Sequence, residues 1–406
     1  MLSSRRKSGL GHGGASTRPL SLVQSDQHSR QNAGAACKIK RREEGGGRPQ
    51  DDKPVRKAHE QLAFTHDELE EILRRDALAK LPNHDGASAE RLWGGGFLPD
   101  KQKLYKLDRQ QPEDFVTDYQ VLCCKNINGT FRHILDNKLM FHAFFAPEFP
   151  VARLINYVVG KEISRPLPNG LKFYAKPIAE ASGFGVFSGE LIDGNVLLRN
   201  KDVLDVESLI DQISLHDKDY IITEKIEPHS SLKYLLCGAA NSLRILCMRG
   251  DRGKAFTAAA VLRVASRCSD DTDNFSAGGL SFYVDVPSGE VGIGRDNRLQ
   301  QHTHHPETER KLTETQIPLF SDAIGLCKRA MDHHPSLKYV GWDVIVSERG
   351  PVIIEGNACP SLDLMQVHEP LLTQKRVRDF YESHGILDLN PLRPLDGAPT
   401  RSSNGP

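Results

Sequence analysis

An α+β fold is what this sequence predicts, and three observations carry the prediction. Apolar segments of strand length recur through the middle of the chain, many separated by glycine-containing turns that favour antiparallel hairpins. A few amphipathic segments of helical period stand between them. Strands and helices do not alternate strictly, as a parallel sheet with crossover helices would require.

At 406 residues, 38% hydrophobic and 26% charged, the chain has room for a large core or two domains. No apolar run approaches a membrane span and the N-terminus lacks an apolar signal region, so a cytoplasmic protein without a membrane span is expected. The eight cysteines, Cys123-Cys124 among them, form no CxxC pair, which fits reduced thiols; Cys359 reads as a small packing residue. His302, His304 and His305 lie in surroundings polar enough to predict an exposed loop instead of a metal site. The formal net charge is zero, yet the first 58 residues carry thirteen Lys and Arg against five acids. Runs such as KIKRREEGGGRPQDDK hold too few apolar side chains to offset their ordering entropy, so residues 1–58 are expected to be a disordered basic tail. Only that tail would suit nucleic acid, which is not the expected partner.

Taken in order, THDELEEILRRDALAKL opens with Thr65 and Glu68 in capping-box spacing and continues with Leu69, Ile72, Leu73 and Leu78, predicting an amphipathic helix. Helical structure is expected to about residue 110. Strands are expected at LKFYAKPI, GVFSGELI, NVLLRN, DYIITEKI, SLRILCMR, FTAAAVLRVA and LSFYVDV, with turns at Asp193-Gly194 and Gly250-Asp251-Arg252-Gly253. Helices are expected at NKLMFHAFFA, VESLIDQISLH and IPLFSDAIGLCKRAMDHH, and the last residues, 393–406, as a tail.

The last two strands, GWDVIVSERGPVIIEGNACPSLD, carry three polar side chains, Asp343, Glu355 and Asn357. A three-residue loop Glu348-Arg349-Gly350 would pair Ser347 with Pro351 and hence Asp343 with Glu355. Trp342, Val344 and Val346 would meet Val352 and Ile354 on the other face, with Asn357 two residues beyond Glu355. Opposed carboxylates, with Cβ atoms about 5 Å apart, repel unless a cation sits between them. An all-oxygen set suits Mg²⁺. The same letters also fit an edge hairpin with a solvated acidic face.

Lys176 ends a strand and leads into IAEASGFGVF, where Gly183 and Gly185 let backbone N–H groups approach an anion. The segment is neither a Walker loop nor a dinucleotide fingerprint, and an ordinary hairpin would use the same glycines. Glu224 and Lys225 close an apolar strand before Pro228, a junction able to present backbone groups to an adenine edge or merely to carry a surface ion pair. Arg244 stands within an apolar strand, where an unpaired guanidinium is costly, so it is expected to face an anion or carboxylate. Asn274 precedes the Gly278-Gly279 pair, which reads equally well as a simple turn.

In this order the blocks LDNKLMFHAFF, FYAKPIAEASGFGV, YIITEKI, NSLRIL, DNFSAGGL and GWDVIVSERGPVIIEGNACPSLDLMQ resemble the ATP-grasp superfamily over roughly residues 112–390. The flavour is that of the sugar-transfer-associated proteins related to α-L-glutamate ligases. The resemblance implies an ATP-grasp fold, two α+β lobes with antiparallel sheets clasping ATP, preceded by a helical segment and the disordered tail. The implied boundaries are 59–111 for the helical segment and 112–392 for the ATP-grasp domain, with a small nucleotide-clamping lobe at about 169–228 and a metal-binding lobe at 229–392. It implies Lys138 and Lys176 as phosphate-contacting lysines, with Ser182, Gly183 and Gly185 over the phosphates. Glu224 would accept from the adenine amino group beside the backbone of Lys225 and Ile226, and Arg244 and Asn274 would act at the γ-phosphate or the acyl substrate. Asp343, Glu355 and Asn357 would hold Mg²⁺, with Mn²⁺ as a substitute. The ribose contact is open between Glu227 and His229.

The implied reaction is ATP-dependent ligation of a carboxylate to an amine through an acyl phosphate, in the biosynthesis of cell-surface polysaccharide or an amino-acid conjugate. The expected partners are a small-molecule carboxylate and an amine or sugar-linked acceptor. The alternatives are a kinase acting on a hydroxyl and a non-catalytic nucleotide-binding partner protein. Where relatives often read Asn-x-x-Pro-Gly, this chain has NACPSLD, so Ser361 stands at a position commonly near the acceptor.

Overall fold

The computed structural model describes residues 64–80, 86–180, 183, 185–198, 202–214, 218–235, 241–266, 273–275, 278–389 and 392–393. The basic tail 1–58, Ser182 and nearly all of the C-terminal tail lie outside the described residues. Among those described, no helix is long and apolar enough to cross a membrane.

Two antiparallel sheets organise the chain. The first holds β1 (Leu154–Val159), β2 (Glu162–Ile163), β3 (Lys172–Pro177), β4 (Phe187–Ile192), β5 (Asn195–Leu198), β6 (Val203–Asp205) and β7 (Tyr220–Glu224), in the order β2-β1-β7-β3-β4-β5-β6. The second holds β8 (Leu243–Arg249), β9 (Ala255–Val264), β10 (Leu280–Val284), β11 (Val291–Arg295), β12 (Gln301–His302), β13 (Tyr339–Ser347) and β14 (Gly350–Asn357), in the order β12-β11-β10-β9-β8-β13-β14. The Asp193-Gly194 turn joins β4 to β5 with Ile192 opposite Asn195. The first sheet begins with LINYVV at β1, well before residue 169, where the sequence boundary was drawn. Its period-2 burial is interrupted by a register shift beside Leu154, and that irregularity hides the strand from pattern reading.

The second sheet is covered on both faces, which is why β8 reads as an almost unbroken apolar run. Ile245, Cys247, Trp342 and Val344 face a core completed by the helices Lys138–Phe145 and Phe320–His333. Leu246, Met248, Phe256 and Tyr339 face another, completed by the helices His66–Lys80 and Lys375–Ser383. Thr65 and Glu68 do exchange capping bonds at the first of these, Thr65 N to Glu68 Oε2 at 2.8 Å and Glu68 N to Thr65 Oγ1 at 3.3 Å. Leu69 and Leu73 are buried, whereas Leu78 is 39% exposed and Ala77 takes its place in the core. Helical structure continues beyond residue 111, through Asp118–Cys123 and His133–Asp136.

The β13–β14 hairpin corrects the sequence reading twice. Its turn has two residues, Glu348 and Arg349, so Ser347 pairs with Gly350 and Val346 with Pro351. Further along, the register shifts between Asp343 and Val344, whose partners are Glu355 and Ile353, leaving Ile354 as an extra residue. The two departures cancel, and Asp343 does stand opposite Glu355. The bulge also changes the core face: Ile353 is fully buried against the strand, not Val352 and Ile354.

Candidate functional site

Strand pairing builds a row of charge across the second sheet. Arg244 on β8 pairs with Asp343 on β13, which pairs in turn with Glu355 on β14. The three share one face because directly opposed residues point the same way. Arg263, on β9, joins the row from the next strand. Asp343 accepts from Arg244 Nε at Oδ1, and at Oδ2 from Arg244 Nη2 and Arg263 Nη1, both at 2.9 Å. Arg263 Nη2 is 2.7 Å from Asp273 Oδ1, and Asp273 Oδ2 accepts from the Ser242 amide at 2.9 Å and hydroxyl at 2.5 Å. The cation expected between the carboxylates is therefore supplied, for Asp343, by two guanidinium groups. Burial alone would push the Asp343 carboxyl up, but Arg244 and Arg263 overcome it and hold the group down to about 2.

Sequence reading missed Arg263, Asp273 and Ser242. Arg263 could have been found by the rule that singled out Arg244, a guanidinium inside an apolar strand; Asp273 sits one residue before the Asn274 that was chosen.

A cavity of about 620 Å³ opens over this row. Its wall includes Arg244, Arg263, Asp273, Asn274, Asp343, Glu355 and Asn357 from the second sheet's side, and Lys138, Lys176, Gly183, Glu224 and Ile226 from the first sheet and the helix before it. Gly185 and Lys225 are not among the residues that line it. The Lys225 amide donates to Lys172 O at 2.9 Å and its ammonium lies 5.6 Å from the Tyr174 ring centre. Neither Glu227 nor His229 lines the cavity: Glu227 pairs with Lys233 at 2.7 Å, and His229 lies 3.4 Å from Glu348.

Lys138 is the first residue of its helix, capped by Asn137, whose Oδ1 accepts from Leu139 N at 3.0 Å and Met140 N at 2.9 Å. Its own amide donates to Ile178 O at 2.9 Å and its ammonium to Glu180 O, which ties the helix to the chain following β3. Lys176 has no hydrogen bond or ion pair among the described residues; the Tyr174 ring centre lies 5.6 Å from its Nζ. Burial pushes its ammonium down, Lys138 adds to the fall, and Glu355, Asp343 and Asp273 pull it partly back. Glu224 Oε1 accepts from the Arg153 amide at 2.9 Å and Oε2 is 3.5 Å from Arg153 Nε.

The donor set suits a hard cation in kind. Among the described residues no three His, Cys, Asp or Glu side chains cluster as a metal site, and the third oxygen here comes from an amide. Asn357 Nδ2 donates to Gly341 O at 3.2 Å, leaving Oδ1 as the atom for a cation. Gly341 itself leaves room for the following loop, since a Cβ there would lie 2.5 Å from Pro360 Cβ.

Four cationic side chains, Lys138, Lys176, Arg244 and Arg263, thus surround three carboxylates, Asp273, Asp343 and Glu355, at one end of the cavity. The surplus is positive, and among the described residues neither Lys176 nor Lys138 has a carboxylate in contact, Lys138 bonding the Glu180 carbonyl. Chemically the arrangement holds an anion against the first sheet and an oxygen-ligated cation against the second.

Comparison with known proteins gives the following. Residues 125–379 match the family model described as sugar-transfer associated ATP-grasp. Among solved structures, the ADP complex of purK, N5-carboxyaminoimidazole ribonucleotide synthetase, is similar at 12% identity and a TM-score of 0.38, over 68% of this chain and 56% of that one. A RimK domain ATP-grasp protein from Sphaerobacter thermophilus is similar at 12% identity and 0.32, over 61% and 68% respectively. D-alanyl-alanine synthetase A from Vibrio cholerae is similar at 10% identity and 0.35, over 72% and 73%. The chain thus spans little more than half the length of the first of these. A comparison with curated protein sequences finds no match. With a family match over residues 125–379, well over half of the chain, and two antiparallel sheets clasping the cavity, the protein belongs to the sugar-transfer associated ATP-grasp family.

Proposed function

We propose that the protein is an ATP- and Mg²⁺-dependent ligase that joins a carboxylate to an amine. The observation that carries this reading is the pairing, in one cavity, of an ammonium without a counter-ion among the described residues, Lys176, with a set of carboxylate and amide oxygens at Glu355 and Asn357. Lys176 and Lys138 bind the ATP phosphates, with the Gly183 region over them. Glu224 and the Ile226 backbone meet the adenine edge. Glu355 and Asn357, with the lone pair that Arg244 leaves on Asp343 Oδ1, hold Mg²⁺, which when bound neutralises charge on the transferring phosphoryl group. Arg244 and Arg263 keep Asp343 ionised and fixed, so the oxygen set is in place before ligands arrive. Asn274 lines the wall where the acyl group would lie.

In balance, an oxygen of the substrate carboxylate bonds to the γ-phosphorus as the bond to ADP breaks. The amine nitrogen then bonds to the acyl carbon, phosphate leaves, and the amine's extra proton passes to solvent. Positioning and electrostatics suffice, and no protein nucleophile is needed.

Calorimetric titration with ATP, with and without Mg²⁺, tests the reading on the wild type and on Glu355→Gln/Asn357→Ala. Mg²⁺-dependent binding that the double variant loses supports it; no ATP binding by the wild type sinks it. Phosphorus NMR of a turnover mixture then separates the reactions, since inorganic phosphate accumulates in a ligase and a stable phosphoester in a kinase.

A further inference from the structure

A second cavity, of about 540 Å³, opens at the other end of β8 from the site just described. Arg244 stands near the start of that seven-residue strand and the turn Gly250-Asp251-Arg252-Gly253 follows its end, so the two sites are separated by about 20 Å along it. The cavity lies between this turn, with Lys254, and the helix Lys375–Ser383. Both walls are fixed from behind. Arg249 Nη1 donates to Gly253 O at 2.7 Å and to Asp332 Oδ1 at 3.0 Å, and the same oxygen accepts from the Ala255 amide at 3.0 Å. On the helix, Arg376 holds its guanidinium 3.8 Å from the centre of the buried Phe256 ring.

The charge in this cavity does not balance. Arg252, Lys254 and Arg376 line it, and among the described residues none of them is bonded to an acid. Of the two carboxylates in the lining, Asp379 accepts from Lys375 at both oxygens, at 2.7 and 3.0 Å, and Asp251 is exposed on the turn with no cation in contact among the described residues. Glu382 acts on Lys375 from outside the lining. The neighbouring guanidinium groups of Arg249 and Arg378 are spent on Asp332 and Asp114, each at 3.0 Å. With Asp379 set against Lys375, three cations stand against one carboxylate, a surplus of two positive charges. The helix adds to the surplus: its first turn holds no acid, its Gln374 cap makes no side-chain bond, and its positive end carries Lys375 and Arg376, the reverse of the favoured placement.

These features specify the ligand. Arg376 presents a planar donor fork whose plane the Phe256 ring fixes, a geometry suited to two oxygens of one anion. A surplus of two matches a phosphate monoester, which carries nearly two negative charges at neutral pH where a carboxylate carries one. The volume falls in the range of small-molecule sites, roughly 300–1,000 Å³, and leaves room for an organic body beyond the phosphate.

We propose that this cavity is a second ligand site, taking the phosphate monoester group of a small molecule, with Arg376 as the fork and Arg252 and Lys254 on the remaining oxygen. The site needs neither nucleotide nor Mg²⁺ and does not rest on the ligase reading.

The test is calorimetric titration of the full-length protein, free of nucleotide, with sn-glycerol 3-phosphate, glycerate and inorganic phosphate. Glycerol 3-phosphate is expected to bind one to one and at least roughly tenfold more tightly than glycerate, a monoanion with a similar body, which is the scale of one charge-assisted contact. Arg376→Gln should weaken it by a similar factor. Because Arg376 also covers Phe256, Arg252→Gln/Lys254→Gln, confined to exposed side chains of the turn, serves as the second variant: it should lose the binding with urea unfolding unchanged. Lys176→Met, in the other cavity, should bind glycerol 3-phosphate as the wild type does. Glycerate binding as tightly overturns the dianion assignment, and inorganic phosphate binding where the ester does not leaves an adventitious ion only. Binding lost in Lys176→Met and kept in the turn variant moves the anion to the nucleotide cavity and overturns the second site. Co-sedimentation with phosphatidylcholine vesicles, with and without phosphatidic acid, separates free from lipid-borne monoester: binding to phosphatidic acid without any to glycerol 3-phosphate overturns the small-molecule assignment.

Discussion

Two buried charges face the same cavity in opposite conditions. Asp343, on the second sheet, has both oxygens bonded by Arg244 and Arg263, with one lone pair left on Oδ1, and Arg263 is paired in turn with Asp273, which Ser242 holds. Lys176, on the first sheet, meets no anion within bonding distance among the described residues. Strand pairing explains the difference. Arg244 and Asp343 are register partners on adjacent strands, so hydrogen bonding of the backbone brings their side chains together whether or not a ligand is present. Lys176 belongs to another sheet, whose register with the carboxylates is not set by any strand pair. The charge that is complete belongs to the scaffold, and the incomplete one is available to a ligand.

The largest effect should come from breaking the complete network. Asp343→Ala leaves Arg244 and Arg263 buried without their shared partner, and removal of one member of a buried ion pair destabilises by about 3–5 kcal/mol. Urea unfolding followed by circular dichroism measures it; a loss below about 1 kcal/mol would show that the row is not part of the scaffold.

Lys176→Met should behave in the opposite way. Among the described residues only the contact with the Tyr174 ring is lost and a buried charge is removed with it, so unfolding should be unchanged or slightly harder, while ATP affinity falls roughly 10- to 100-fold, the value of one or two charge-assisted bonds. A variant that unfolds easily and still binds ATP would reverse the comparison.

Titration sharpens it further. The folded Asp343 carboxyl sits at about 2 against an ordinary 3.8, so its contribution is full above 3.8 and is lost as the pH falls through about 2. Lys176 has its folded value below the ordinary 10.5, so the unfolded chain binds more protons in the window between the two. Wild-type stability relative to Lys176→Met should therefore rise with pH through that window, the penalty being full below it. Urea midpoints of wild type and Lys176→Met across the alkaline range check the sign; a falling difference contradicts it.

How much of this was legible in the letters depended on whether a feature is local. The helix at His66–Lys80, the β4–β5 turn and the facing of Asp343 and Glu355 follow from spacing alone, and the structure has them. The facing, however, came from a loop one residue too long and a bulge that sequence gives no sign of, two errors that cancelled. What was not legible needs distant strands to meet. Arg263 looked like one basic residue in an apolar strand until β9 placed it beside β8, and the part of the first cavity's wall formed by Leu98, Asp118 and Val121 depends on contacts more than two hundred residues apart, such as Gln366 with Val116. Lys101 illustrates the limit most sharply. In KQKLYKL it is one lysine among three, and only the carboxylates of Asp118 and Asp363 at its ammonium distinguish it.

The smallest expected effect concerns the glycine segment behind Lys176. Gly185 has φ +67°, and a Cβ there would lie 2.7 Å from the Tyr220 hydroxyl and 3.2 Å from Pro177 Cγ. Tyr220 is fully buried and its hydroxyl has no hydrogen-bond partner among the described residues, so it cannot move aside into solvent. Gly185→Ala should therefore lose about 1–2 kcal/mol from left-handed backbone strain, with the contact adding to it, and weaken ATP binding only a few-fold. Tyr220→Phe removes the oxygen that the new methyl would strike. In a double-variant cycle, Gly185→Ala/Tyr220→Phe should recover the steric part and leave the backbone part. Full recovery would mean that the φ constraint is relaxed in solution. An unaltered loss would assign the whole effect to the backbone, and a Gly185→Ala protein with wild-type stability and ATP affinity would remove this segment from the nucleotide-binding face altogether.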